Sequence, residues 1–234
     1  MVTLRKAFDS TVGRKYVMGL SGLALVGFLL VHLLGNLNLF FPGGTHFNAY
    51  AEKLHSFGPL LTLSEFGLAA VFLIHAFYAV RVTLSNKSAR PVKYAVSQSK
   101  GEPSHSSLIS RNMIITGLVV FGFLLLHIWQ FRFGPGVEAG YVSQVDGKDV
   151  RDLYRLVDEV FHQPLFVGIY VAVMLFLGMH LRHGFWSAFQ SLGAMSKPLS
   201  KPIYTLGAIL GVVVALGFLM IPVWFYFDLG ARFS

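Results

Sequence analysis

The chain has 234 residues, 54% of them hydrophobic and 13% charged, too apolar a balance for a soluble domain of that length. It contains no cysteine, which excludes disulfides, thiolate-held iron–sulfur clusters and haem attached through thioethers. The formal net charge of +8 sits in short connections between apolar runs, a distribution that reflects membrane orientation and not nucleic-acid binding.

A helix needs about 20 mostly apolar residues to cross the hydrocarbon layer. In chain order, residues 16–40, 62–84, 112–131, 164–185 and 204–227 meet that length. The first run begins near Tyr16 and is too long for the apolar core of a cleavable signal. Gly, Pro, Asn or charge marks the ends, as in Phe41-Pro42-Gly43-Gly44 and Lys201-Pro202. Residues 86–111 and 134–162 are polar connections, and 148–161 read as a short amphipathic surface helix. The expected fold is all-α: a single membrane domain over 1–234, a five-transmembrane-helix bundle with a four-helix core.

Charge orients the bundle. Arg5, Lys6, Arg14 and Lys15 precede the first span. Arg81, at the end of the second span, is continued by Lys87, Arg90, Lys93, Lys100 and Arg111 in the second connection, and Arg182, at the end of the fourth span, by Lys197 and Lys201 in the fourth connection. The first connection has only Lys53, and the third is acidic through Glu138, Asp146, Asp149, Asp152, Asp158 and Glu159. This alternation puts the N-terminus in the cytoplasm and the C-terminus outside.

Ionisable groups at membrane depth are costly and usually face the bundle interior. Four spans carry a histidine in their latter half, namely His32, His75, His127 and His180, and the fifth carries none. One such histidine is explained equally well as a hydrogen-bond partner between helices. Four, one per helix, point to a shared purpose. Spans one and three run outward, so His32 and His127 lie toward the outer face. Spans two and four run inward, so His75 and His180 lie toward the cytoplasm. Two imidazoles from facing helices at matched depth are what bis-histidine ligation of haem needs, and helix bundles build such sites from inward side chains.

Gly22 precedes His32 by ten residues and Gly117 precedes His127 by ten. Ten residues rise about 15 Å, so both glycines fall near the inner pair, where they let a porphyrin approach the backbone or simply allow close helix packing. His183 shares a face with His180 and sits nearer the boundary beside Arg182, as a contact for a haem propionate or a headgroup. His46, His55, His105 and His162 fall in connections and read as solvated or interfacial.

At these motifs the chain resembles the single-subunit, di-haem cytochrome b anchors of succinate dehydrogenase and fumarate reductase. The resembling segments are His32-Leu33-Leu34-Gly35-Asn36, Phe47-Asn48-Ala49-Tyr50-Ala51-Glu52, the stretch 65–81 from Glu65 through His75 to Arg81, the stretch 111–127 from Arg111 to His127, and His180-Leu181-Arg182-His183-Gly184-Phe185-Trp186-Ser187. The resemblance implies two b-type haems, the inner on His75 and His180 and the outer on His32 and His127. It implies a flavoprotein and an iron–sulfur partner on the cytoplasmic face of a bacterial inner membrane. It also implies electron relay from succinate to a quinone, usually menaquinone, with no dicarboxylate site on this chain. Consistent with that division, no Gly-x-Gly-x-x-Gly follows a strand, and Gly134-Pro135-Gly136 has the wrong spacing and context for a dinucleotide loop.

Quinone reduction needs proton donors. Glu65 stands at the outer start of span two, as a proton carrier or as an interfacial or capping carboxylate. Asn36, Asn38 and Gln130 are polar groups at that level, for quinone or haem propionates. Arg81 and Arg182, at the cytoplasmic boundary, suit inner-haem propionates or lipid phosphate. Some fumarate reductases of this family carry a glutamate two residues before the fourth-helix ligand. Here that position is Gly178, which favours the succinate-oxidising direction over fumarate reduction. The alternatives are a cytochrome b anchor of another quinone-linked dehydrogenase, such as a hydrogenase or formate dehydrogenase, and a transporter or scaffold that uses the histidines for protons or packing.

Overall fold

A computed structural model describes residues 10–89 and 113–232. Arg5, Lys6, Arg90, Lys93, Lys100, His105 and Arg111 lie outside the described residues. The described chain is almost entirely helical. Helix α1 (Thr11–Asn36) runs into a 3-10 turn (Leu37–Phe40) and is followed by α2 (Thr45–His55) and α3 (Pro59–Ser88). Helix α4 (Met113–His127) widens into a π turn (Ile128–Arg132). Two strands, β1 (Val142–Val145) and β2 (Lys148–Arg151), precede α5 (Leu153–Phe161), α6 (Pro164–Ser191), α7 (Lys197–Tyr226) and the short α8 (Leu229–Arg232).

Five segments are long and apolar enough to cross a membrane: Thr11–Phe40, Pro59–Ser88, Met113–Arg132, Pro164–Ser191 and Lys197–Tyr226. Their outer faces are apolar: Phe66 is 72% exposed, Leu165 70% and Leu63 68%. Such surface is unfavourable in water and suits lipid, so the chain has the character of a multi-pass membrane protein.

Several helices exceed the apolar runs. Helix α1 starts early because the Ser10 hydroxyl accepts the Gly13 N–H at 3.0 Å and so caps the first turn. Helix α7 starts at Lys197, ahead of the Lys201-Pro202 boundary expected from sequence. Pro198 sits in its first turn, where a missing N–H costs nothing. The buried Ser200 and Ile203 keep the following turn packed despite Pro202.

The chain groups into two compact units. Unit 1 comprises Met1–Phe28, Phe66–Leu118 and Leu177–Val212. Phe185, Trp186 and Ile203 form a hydrophobic core cluster within it, with Leu23, Val26 and Leu210 against them. Helices α6 and α7 meet here at backbone distance: a Cβ on Gly211 would lie 2.6 Å from the Gly178 carbonyl oxygen.

Unit 2 comprises Leu29–Glu65, Val119–Phe176 and Val213–Ser234. Leu39, Phe47, Leu156, Phe161, Tyr170 and Phe225 are among its core residues. Its connections are more ordered than the polar composition suggested. Of the helix expected over 148–161, Leu153–Phe161 is helical, whereas Lys148–Arg151 is a strand. Residues Lys148–Arg151 pair antiparallel with Val142–Val145, in the register Val142↔Arg151 and Val145↔Lys148. The reversal uses Asp146 and Gly147 at φ 49° and 74°, the Asp-Gly signal for a tight hairpin. Arg151 then donates to the carbonyls of Pro135 and Gly134 at 2.9 and 3.0 Å.

Asp152 caps α5 and joins it to α2. Its carboxylate accepts the Arg155 N–H at 3.0 Å and the Asn48 side-chain amide at 2.8 Å. Asn48 in turn accepts the Tyr154 N–H at 3.0 Å. Replacing Asp152 by alanine is expected to cost about 1 kcal/mol or more through loss of the cap. Amide hydrogen exchange in the first turn of α5 should then quicken roughly five-fold, and unchanged exchange there would contradict this role.

Candidate functional site

In unit 1, His75 of α3 and His180 of α6 face each other with ring centroids 6.5 Å apart and planes at 75°. The Nδ1 of His75 lies 3.2 Å from the Met18 carbonyl oxygen and 3.4 Å from the Ser21 hydroxyl. A carbonyl only accepts. The Ser21 proton is engaged by the Val17 carbonyl at 2.7 Å. His75 must therefore carry its proton on Nδ1 and donate it. His180 is held in the same way. Its Nδ1 lies 3.0 Å from the Thr116 hydroxyl, whose own proton goes to the Met113 carbonyl at 3.0 Å. Both rings thus keep the Nε2 lone pair available.

Gly22 and Gly117 sit beside these two rings. A Cβ at 22 would lie 3.1 Å from His75 Cε1, and a Cβ at 117 would lie 3.6 Å from His180 Cε1. The small residues therefore border the imidazoles themselves. The ring across from His75 is that of His180, whereas His183 stands edge-on to Trp186 with centroids 4.7 Å apart. Arg81 lies 5.7 Å over the Phe77 ring. Arg182 presents its Cβ, 3.2 Å away, to the position a Gly211 side chain would fill.

In unit 2, His32 of α1 and His127 of α4 face each other with centroids 5.9 Å apart and planes at 86°. The Nδ1 of His127 lies 3.3 Å from the Tyr170 hydroxyl, and Tyr170 donates its proton to Gln130 Oε1 at 2.7 Å. Tyr170 can then only accept from His127, which fixes a third Nδ1–H ring. Phe123 stacks on His127 at 5.7 Å, and Phe218 covers His32 at 5.6 Å. These rings keep water from the pair.

Other candidates resolve less simply. Asn36 donates to the His32 carbonyl at 2.8 Å, and Asn38 donates to the Gly35 carbonyl at 2.9 Å. Both finish the end of α1, and the Asn36 amide nitrogen also lies 3.4 Å from His32 Nδ1. Glu65 is engaged in a two-pronged ion pair: Arg132 Nε and Nη2 donate to its two oxygens at 3.0 and 3.1 Å. Glu65 is 39% and Arg132 56% exposed, so the pair lies open to its surroundings.

The residues missed from sequence are Ser21, Thr116, Tyr170 and Arg132. A signal existed for the first two. Ser21-Gly22 in α1 and Thr116-Gly117 in α4 are the same hydroxyl–glycine pair, each eleven residues ahead of a histidine when counted from the hydroxyl.

Ring centroids 6.5 and 5.9 Å apart would leave room for an iron between two imidazoles. Two metal–nitrogen bonds of about 2 Å each, with the reach to each ring centre, set the centroids on the order of 6 Å apart. Rotation about a metal–nitrogen bond leaves the ring planes free, so angles of 75° and 86° are compatible. Metal-ligating histidines commonly donate their other N–H to a carbonyl or hydroxyl, which fixes tautomer and orientation, as Met18, Thr116 and Tyr170 provide here. Among the described residues no three His, Cys, Asp or Glu side chains converge as a metal cluster. Two imidazole nitrogens per site would suit a metal already held in a macrocycle. Compared with models of known families, with curated proteins and with solved structures, the chain matches none.

Proposed function

We propose that the chain is the di-haem cytochrome b membrane anchor of a succinate:quinone oxidoreductase, with menaquinone as the acceptor. One observation carries the reading. Two facing histidine pairs occur, one in each unit, and three of the four rings are fixed by acceptor-only partners with Nε2 left to bind a metal. Haem held by each pair would supply reversible one-electron transfer at a potential tuned by the protein.

The rest is done by the chain. Met18, Ser21 and Thr116 orient the rings of unit 1, and Tyr170 orients His127 in unit 2. Phe123 and Phe218 exclude water around the second pair, which strengthens every polar contact near it. Glu65 is the carboxylate for proton delivery to quinone, and Arg132 fixes its direction through two parallel hydrogen bonds. The basic connections orient the N-terminus to the cytoplasm, where a flavoprotein and an iron–sulfur subunit would dock.

A tagged chain, extracted in mild detergent from its native membrane, tests the assignment. It should bring down a flavin-bearing and an iron–sulfur-bearing subunit attached at the cytoplasmic face, with succinate-dependent reduction of a menaquinone analogue. Redox partners attached at the opposite face would indicate the anchor of a different dehydrogenase. No redox partner at all would overturn the proposal.

A further inference from the structure

Helices α5 and α7 end beside each other in unit 2, and His162 ties the two ends together. It follows the last residue of α5. Its Nδ1 lies 2.9 Å from the Asp158 carbonyl and 3.4 Å from the Asp158 carboxylate, one turn back. Its Nε2 lies 3.1 Å from Asp228 Oδ1. A carbonyl and an ionised carboxylate only accept. Both ring nitrogens must therefore donate, and the contact closes only on the imidazolium. That charge also stands at the C-terminus of α5, where a cation is favoured.

Asp228 is placed by its backbone. It lies just past α7 at φ 48°, a left-handed conformation that a residue with a Cβ holds at some cost. Its N–H reaches back to the Phe225 carbonyl at 3.1 Å, and the chain then turns into α8. Beside the ion pair, Phe161 and Phe225 pack with centroids 6.4 Å apart. That apolar contact does not titrate. Loss of the ion pair would free the segment past Phe225 without parting α5 from α7.

We propose that His162, clamped between Asp158 and Asp228, is a proton-operated latch that holds residues 227–232 against α5. The hydrogen bond to the Asp158 carbonyl above all, and then the Asp158 and Asp228 carboxylates, outweigh desolvation and hold His162 above the ordinary histidine value. Stability drawn from such a histidine is complete below its ordinary value and is lost as pH rises through the raised one. The latch is shut on the acid side of that window and open on the alkaline side. On α5 the titratable neighbours are Tyr154, one turn before Asp158, and Glu159, which accepts from Arg155 Nε at 2.8 Å and from the Tyr141 hydroxyl. Helix α6 opens with Pro164-Leu165-Phe166-Val167 and adds none. His162 is 42% and Asp228 67% exposed, so screening keeps the effect modest.

The test is amide exchange of the full chain in lipid nanodiscs from about pH 5 to about pH 9, expressed as protection so that the intrinsic pH dependence cancels. Protection over residues 227–232 should fall roughly two- to five-fold across that range, while α7 up to Phe225 stays unmoved. The midpoint should coincide with that of the His162 ring in nitrogen NMR and lie above about 6.5. His162→Gln should flatten the profile at its weaker value. Asp228→Asn should weaken protection in acid and bring the ring midpoint down. His46→Gln, at an exposed histidine of α2, should change nothing. A flat profile in the parent chain, a profile that survives His162→Gln, a ring midpoint at or below about 6.5, or a loss that spreads through α7 would each overturn the latch. None of these readouts depends on haem.

Discussion

Replacing His180 by alanine should remove one of two b-type haem signals and leave the other at full strength. His180 and His75 form the facing pair of unit 1, with ring centroids 6.5 Å apart, and loss of either imidazole would leave that pair with a single ligand. His32 and His127 belong to unit 2, so that pair should keep its haem. The same loss should follow from His75→Ala, and the complementary loss from His32→Ala or His127→Ala. Four variants should therefore sort into two spectral classes, with about half the haem content each. A variant that fails to assemble would lose both signals, which is why the four are read together. Loss of both haems from every variant, or of neither from any, would contradict the pairing. His183→Ala serves as the internal check: its ring rests on Trp186, and both signals should survive.

A large effect on stability is expected at Gly211. A Cβ there would stand 2.6 Å from the Gly178 carbonyl oxygen and 3.3 Å from the Arg182 backbone nitrogen. Both obstacles are backbone, so no rotamer change relieves the clash and α6 and α7 must separate. Oversized residues at packed positions cost roughly 1–3 kcal/mol, and more where nothing can yield. For a chain of this size each kcal/mol lowers the unfolding midpoint by roughly 2–4 °C. Gly211→Val in detergent micelles should accordingly melt well below the parent chain. Gly27→Ala is the control, because nothing lies within 4 Å of a Cβ there, and it should be neutral or slightly stabilising. Equal melting of Gly211→Val and Gly27→Ala would show that the close helix approach does not matter.

What the sequence made legible follows from its physics. Apolar runs of span length announce helices because a bilayer admits few alternatives, and all five appear within a few residues of their expected cores. The histidines stood out because charge-capable groups in such runs are expensive, and the structure brings together His75 with His180 and His32 with His127. Helix ends were less legible: helical hydrogen bonding continues past the hydrocarbon wherever a cap such as Ser10 or a first-turn proline permits it. The connections were least legible. The hairpin at Asp146-Gly147 was signalled by its dipeptide, but an acidic, amphipathic stretch equally suggested a helix. The partners of the imidazole N–H groups were hidden for another reason. Ser21, Thr116 and Tyr170 look like unremarkable residues in apolar runs until the facing helix is in place, and the Glu65–Arg132 pair joins positions 67 residues apart.

If His75 with His180 and His32 with His127 hold one haem each, haem per chain measures it directly. Pyridine haemochrome quantification against amino-acid analysis of the purified chain should give two non-covalent b haems per polypeptide. That count should fall to one in each single-histidine variant and to none in a His32→Ala, His180→Ala double variant. A parent chain with no haem, or with haem that persists in the double variant, would contradict the account.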